Sequence, residues 1–378
     1  MEEIIVVSYS QKQRKELNMS KGIYINGMQS IAPVPCFDNG FFDSELDQNP
    51  KRFLEIIKPP YTNYIPGKKL RRMTKIIRLG LIGSQKALTD ASISNIDSIL
   101  VATGNGNISD TQKFLNAILD NDEKMLVPTS FVQSTNNIVA GSIAMMLKSK
   151  GYNMTYTHHS SSFEMSLLDA LMQFEEHEAA QILVGAVDEI TEENIKIRNQ
   201  CDLWIKEKIN PFDIFKGAGQ NHAMIGESAS FFVLSNKVQD NSYAQLMDVD
   251  LFYHFDNQSI ENHIQLFLEK NKLTNQDIDL VFGGFNGVEK YDQEQFSLIT
   301  KLFPSCEIAS YKQFVGEHPT ASAFALWMAA QILSGKKIPK EIYYSKSTNR
   351  SQEIKHILIL QKAFLSEEDY GLILLKKV

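Results

Sequence analysis

The sequence predicts an α/β protein of two similar halves. Three observations carry this reading. Apolar runs of strand length alternate with helical patterns along nearly the whole chain, a second strand-and-helix series follows the first after Gln239, and no Pro/Ser-rich linker divides them. Residues 1–18 precede a second methionine, Met19, and read as an arm or an upstream extension. Residues 19–240 then form the first half and residues 241–378 the second. In the first half, strands are expected near 22–26, 98–103, 153–157, 181–187 and 230–234, and helices over 69–89, 111–119, 135–148 and 161–174. In the second, strands are expected near 244–253, 278–283, 307–310, 357–361 and 371–376, with helices over 260–270, 293–302 and 321–333. No short tandem repeat is present, so a solenoid is not expected.

Composition narrows the classes. The 38 Lys and Arg against 45 Asp and Glu leave a net charge of −7, which disfavours binding to nucleic acid, where affinity rests largely on neutralising phosphates. Cys36, Cys201 and Cys306 are odd in number and scattered, so a secreted disulfide framework is not expected and a reducing cytoplasm fits. The longest apolar stretches, such as 324–333, are too short to cross a bilayer, and the acidic start lacks a secretory cleavage pattern. A cytoplasmic protein without a membrane span is therefore expected. One stretch departs from the acidic balance: GKKLRRMTKIIR carries Lys68, Lys69, Arg71, Arg72, Lys75 and Arg78. It reads either as a solvated helix face or as a docking surface for an acidic partner.

The chemistry is concentrated in TYTHHSSSFEMSLLDAL, residues 155–171. A strand running through three serines into an amphipathic helix presents small polar groups and free N–H groups at a helix N-terminus, a common setting for a nucleophile. The plainer reading is that Ser160 caps the helix and the histidines pack. His158 and His159 are adjacent, so on a strand they point to opposite faces and do not chelate one metal together. No HExxH, CxxC or acidic cluster of metal spacing occurs, and neither a metal nor a cofactor is expected. The sequence from Gly226 to Ser230 begins like a GxSxG elbow but lacks its second glycine and leads into a strand. The run from Gly104 to Ser109 holds half of a dinucleotide fingerprint and reads as a turn at a strand end.

Taken in order, these segments resemble the beta-ketoacyl synthases of the thiolase-like superfamily, from about Gly22 to Leu375. Residues 153–170 are similar to the family's T-A-C-S-S-S turn and its helix, and ILVGAVDE resembles its strand ending in Gly-Gly-x-Asp/Glu. Pro211-Phe212-Asp213 with Gly226-Glu227 and FFVL resembles P-F-D…G-E-G-A…L-V-L, and KQFVGEHPTASA resembles K-S-x-x-G-H-x-x-G-A-A. The resemblance implies a thiolase-like fold, two similar αβ halves in a layered αβαβα body. It also implies a site at which a thiolate takes an acyl group and two histidines assist decarboxylation.

Carried over residue by residue, the nucleophile falls on His159, the first histidine on Gly284 and the second on Glu317, with His318 one place along; Lys312 alone keeps the family's residue type. An imidazole cannot retain a growing chain as a thioester, so the chain is not expected to condense acyl groups alone. This pattern resembles chain-length factors, the ketosynthase-like subunits of aromatic polyketide and aryl-polyene systems, and most of all the homologues of flexirubin and aryl-polyene pigment pathways. The implied partners are an active ketosynthase, in a heterodimer, or a second copy, and an acyl carrier protein. Phe131, Gln133, Asn137 and Phe163 fall where the family places its tunnel or dimer interface, and Lys68, Lys69, Arg71 and Arg72 become candidates for carrier binding. Two other readings stand beside this one: an enzyme performing acyl transfer or malonyl-carrier decarboxylation without cysteine, and a homodimeric binding protein that keeps only the fold.

Overall fold

The computed structural model describes residues 22–37, 40–253, 260–345, 353–365 and 369–378; the expected arm at residues 1–18 lies outside them. In chain order the first half supplies β1 (Ile23–Ile31), β2 (Phe53–Leu54), β3 (Ser98–Ala102), β4 (Tyr152–Tyr156), β5 (Gln181–Asp188), β6 (Ile225–Gly226) and β7 (Ser228–Ser235). The second supplies β8 (Ala244–Tyr253), β9 (Leu280–Gly283), β10 (Glu307–Ser310), β11 (Tyr343–Ser345), β12 (His356–Lys362) and β13 (Asp369–Lys376). β2 and β6 pair as a small ribbon, and the other strands form one sheet ordered β11-β10-β9-β12-β13-β8-β1-β7-β5-β3-β4.

That order contains a duplication. From the central antiparallel β1·β8 pair outward, one arm runs β1, β7, β5, β3, β4 and the other β8, β13, β12, β9, β10, with β11 added at the far edge. Leaving the ribbon and β11 aside, both arms place their first, fifth, fourth, second and third strands in the same succession. The directions repeat as well: antiparallel, antiparallel, parallel, parallel on each side.

The helices are α1 (Gly67–Leu70), α2 (Lys75–Asp90), α3 (Ile108–Asp120), α4 (Pro128–Gln133), α5 (Ile138–Leu147), α6 (Ser162–Glu175), α7 (Glu192–Arg198), α8 (Ile260–Lys270), α9 (Glu289–Leu302), α10 (Lys312–Val315) and α11 (Ser322–Leu333). Strand alternation sorts side chains between layers. Ile99 and Val101 of β3 join the α2 and α5 residues Leu79 and Ile143, whereas Leu100 points the other way, toward α6 and α11. In the second half, Val281 and Leu358 pack under α8 and α9, while Phe282 and Ile359 join the central cluster. The result is the layered αβαβα arrangement. Every residue of α11 is buried, as a helix held between two sheet faces requires.

Two departures from the sequence expectation have physical reasons. The helix expected over 69–89 breaks at residues 71–74, because Thr74 adopts extended backbone (ψ 169) and its hydroxyl accepts from Asn107 Nδ2 at 3.1 Å. Arg78 Nη2 then donates to the Leu70 carbonyl at 2.7 Å and fastens α1 to α2. The short elements α4, α7, β11 and the β2·β6 ribbon were not anticipated, since a few residues carry too little periodicity to register. Among the described residues no helix is long and apolar enough to cross a membrane.

Candidate functional site

β4 ends at Tyr156, a 3-10 turn occupies His159–Ser161, and α6 starts at Ser162. His159 holds φ +41, a left-handed conformation that costs a residue with a side chain about 1 kcal/mol and commonly marks functional turns. Ser162, not Ser160, fastens this turn: its Oγ accepts from the His158 N–H at 2.7 Å and donates to the His159 carbonyl at 2.8 Å. Gly104 lets three segments converge here, because a Cβ on it would stand 2.1 Å from Pro319 Cβ and 3.4 Å from His159 Cα. The GNG segment is indeed a turn, held by the buried Asp188 carboxylate. That group accepts from the Gly104 and Asn105 N–H groups at 3.1 and 3.0 Å and from the Thr103 and Thr320 hydroxyls at 3.1 and 2.8 Å.

Beyond the strand ends lies a cavity of about 430 Å³, at the C-terminal side of parallel strands where open α/β sheets place their ligands. His158 and His159 both line it. The expectation that strand alternation separates them fails, because both lie beyond the end of β4. His158 Nε2 meets the Tyr253 hydroxyl at 2.9 Å. Among the described residues no group of three or more His, Cys, Asp or Glu side chains is arranged to hold a metal ion.

Glu317 also lines the cavity but is engaged from behind. Its Oε2 lies 2.6 Å from Lys312 Nζ and accepts from Asn286 Nδ2 at 3.1 Å, with the Lys312 and Glu317 side chains only 2% and 6% exposed. Such a pair is costly to break, because removal of one member strands a buried charge. His318 is neutral: burial pushes its pKa down to about 3. Its Nε2 lies 2.8 Å from the buried Ser228 hydroxyl, and the backbone of Val315 and Gly316, not a carboxylate, faces the rest of the ring, so no acid orients it as in a serine-histidine-acid triad.

Around Gly284 the space is taken. A Cβ there would meet Gln361 Oε1 at 3.1 Å and the Tyr311 hydroxyl at 3.5 Å. Gln295 Oε1 accepts from the Gly284 N–H at 3.1 Å, and the Tyr311 hydroxyl donates to Gln361 Oε1. Neutral hydrogen-bonding side chains from three elements fill this volume, so an imidazole at residue 284 would have to displace them. None of the cysteines lines the cavity. Cys36 is buried, which pushes its thiol up to about 12; Cys306 is buried with its Sγ 2.7 Å from the Ile278 carbonyl; Cys201 is exposed.

The remaining expected site residues lie elsewhere. Phe131, on α4, is 56% exposed and packs on Phe114 with ring centroids 5.2 Å apart. Gln133 Nε2 donates to the Arg72 carbonyl at 3.0 Å, and Asn137 precedes α5. Phe163 is fully buried against Phe232 in the central core, so it does not reach the surface. The basic run divides: Lys75 pairs with Glu227 at 2.5 Å and Arg78 holds α1, whereas Lys68, Lys69, Arg71 and Arg72 are exposed. Sequence reading missed Asn286, and it missed Arg198, Trp204, Asn105 and Phe364 on the cavity wall. Asn105 and Asn286 sit in segments that the sequence marks out, the run from Gly104 and the stretch that begins at Gly284; nothing in one sequence distinguishes the others.

The family model for the N-terminal domain of beta-ketoacyl synthases matches residues 28–239, more than half of the chain. The chain belongs to the beta-ketoacyl synthase family. Among solved structures, the ishigamide ketosynthase/chain length factor is similar at 14% identity with a TM-score of 0.77, covering 95% of this chain and 99% of that one. A beta-ketoacyl synthase from Burkholderia phymatum STM815 gives 14% identity and a TM-score of 0.75 over 95% and 100% of the two chains. AntDE:AntF, a type II PKS acyl-carrier protein in complex with its ketosynthase bound to the hexaketide, gives 13% and 0.74 over 95% and 99%. These likenesses establish the thiolase-like fold. No curated protein sequence gives a significant match. Of the residues that the resemblance aligns with catalytic positions, His159 and Glu317 line the cavity and Gly284 does not.

Proposed function

We propose that this family member is a non-catalytic, chain-length-factor-type subunit that pairs with an active ketosynthase and shapes the chain built on an acyl carrier protein, in an aryl-polyene or flexirubin-like pathway. One observation carries the proposal: none of the cysteines lines the cavity, and the residues that the resemblance aligns with the two histidines are an ion-paired Glu317 and a Gly284 enclosed by Gln295, Tyr311 and Gln361. An imidazole at 159 forms no stable acyl thioester, so the condensing thiolate must come from another subunit.

The surface supports a partnered state. Among the described residues β4 is the last strand of the sheet, and Tyr152 and Met154 on it are 45% and 44% exposed. An open strand edge carrying apolar side chains is a ready template for a second chain. Beside it, Val132 of α4 and Met145 of α5 line an apolar groove of about 470 Å³ whose rim carries Lys69 and Arg72. These two cations, with Lys68 and Arg71, are placed to attract an acidic carrier, and the interaction would weaken with salt.

Co-expression with an active ketosynthase and an acyl carrier protein tests the reading. A stable one-to-one pair on size-exclusion chromatography is expected, with product formed only when both subunits are present. Product made by the partner alone, at unchanged yield and length, contradicts it. The serine-based alternative is weaker, because the Ser228–His318 pair is buried and lacks an orienting acid.

A further inference from the structure

Arg198, the last residue of α7, lines the cavity together with His159, His158 and Asn105. Its guanidinium is half-buried and lies 5.0 Å over the Trp204 ring, a stacking that fixes the plane of the group. Nε is committed to Asn194 Oδ1 at 2.9 Å. For the terminal nitrogens, no hydrogen bond or ion pair exists with any described residue. The charges nearest in effect, Asp188 and Glu317, are already satisfied, the first by five donors from the β3 turn and Thr320, the second by Lys312 and Asn286. The terminal nitrogens of this half-buried guanidinium are thus donors left free to take an anionic ligand, with which charge-assisted hydrogen bonds are the strong ones. Asp369 also lines the cavity, beside the Tyr253 and His158 pair, and is not among the groups that act on Arg198. Trp204, Pro319, Phe364 and Leu365 supply apolar walls.

We infer that this cavity binds a small anion-headed apolar molecule, with a carboxylate or phosphate held by Arg198 and Asn105 and the apolar body against Trp204 and Phe364. The inference goes beyond the partnership proposed above and does not depend on it, since the isolated chain binds the ligand whether or not a ketosynthase pairs with it. Trp204 supplies the signal. It is one of two tryptophans, and the other, Trp327, is fully buried in the core and serves as an internal reference.

The test is a titration of the full chain with octanoate, octyl phosphate and octanol, followed by Trp204 fluorescence and calorimetry. Octanoate or octyl phosphate should bind saturably and at least tenfold more tightly than octanol, and whichever of the two binds more tightly identifies the head group. Arg198→Gln should weaken the anion at least tenfold while leaving octanol unchanged, and Arg198→Lys should restore part of the loss, with circular dichroism confirming the fold of each variant. Equal affinity for octanol and octanoate, absence of binding, or an anion affinity untouched by Arg198→Gln overturns the inference.

Discussion

Glu164 lies in the first turn of α6, fully buried beside the Ser322 hydroxyl. Burial pushes its pKa from the ordinary 4.5 up to about 7, against the Ser322 hydroxyl and the Lys312 charge, which pull it down. The sign of the consequence follows from linkage. Between those two values the folded state binds the proton more readily than the unfolded state, so stability falls as pH rises through this window and the full penalty persists above it. Glu164→Gln should therefore raise urea resistance at about pH 8, by at most about 3 kcal/mol, and change little near pH 4.5. An equal effect at both pH values contradicts the burial account. The same scale shows what one sequence conceals. Gly284 was readable as a missing histidine, but the means by which its space is filled was not, because Gln295, Tyr311 and Gln361 come from α9, the entry to α10 and β12.

At the scale of elements, the open edge of β4 carries the pairing proposal. Met154→Glu places a charge on this strand where its side chain is already half in water, so the monomer should fold with unchanged circular dichroism. Its cost should fall on association: light scattering should find the variant unpaired at concentrations where the wild type pairs. Pairing unchanged by Met154→Glu moves the interface elsewhere. Long elements were legible because their apolar periods are long. β8 and α8, for example, were expected over the residues they occupy. The break between α1 and α2 was not legible, because it depends on Asn107 drawing the Thr74 hydroxyl away from a helix cap. His158 and His159 were misjudged for a related reason: β4 stops at Tyr156, so strand alternation does not apply to them.

At the scale of the whole molecule, the two arms of the sheet repeat one strand order, and the cavity forms where the turn after β4 meets the segment following α10 in the other half. The succession of strands and helices in two series was legible in the sequence. Their spatial order was not, since it depends on pairings such as β1 with β7, whose residues lie some two hundred positions apart. This architecture brings together His159, an ion-paired Glu317 and Arg198 at one cavity. On the proposed reading this assembly performs no acyl chemistry of its own. That reading is tested most directly by incubating the isolated chain, and its His159→Ala variant, with a malonyl-loaded carrier protein and following intact mass and carbon dioxide release. The account predicts no acyl adduct and no decarboxylation by either protein, and undiminished product from either once an active ketosynthase is added. An adduct or carbon dioxide release that disappears in His159→Ala contradicts it.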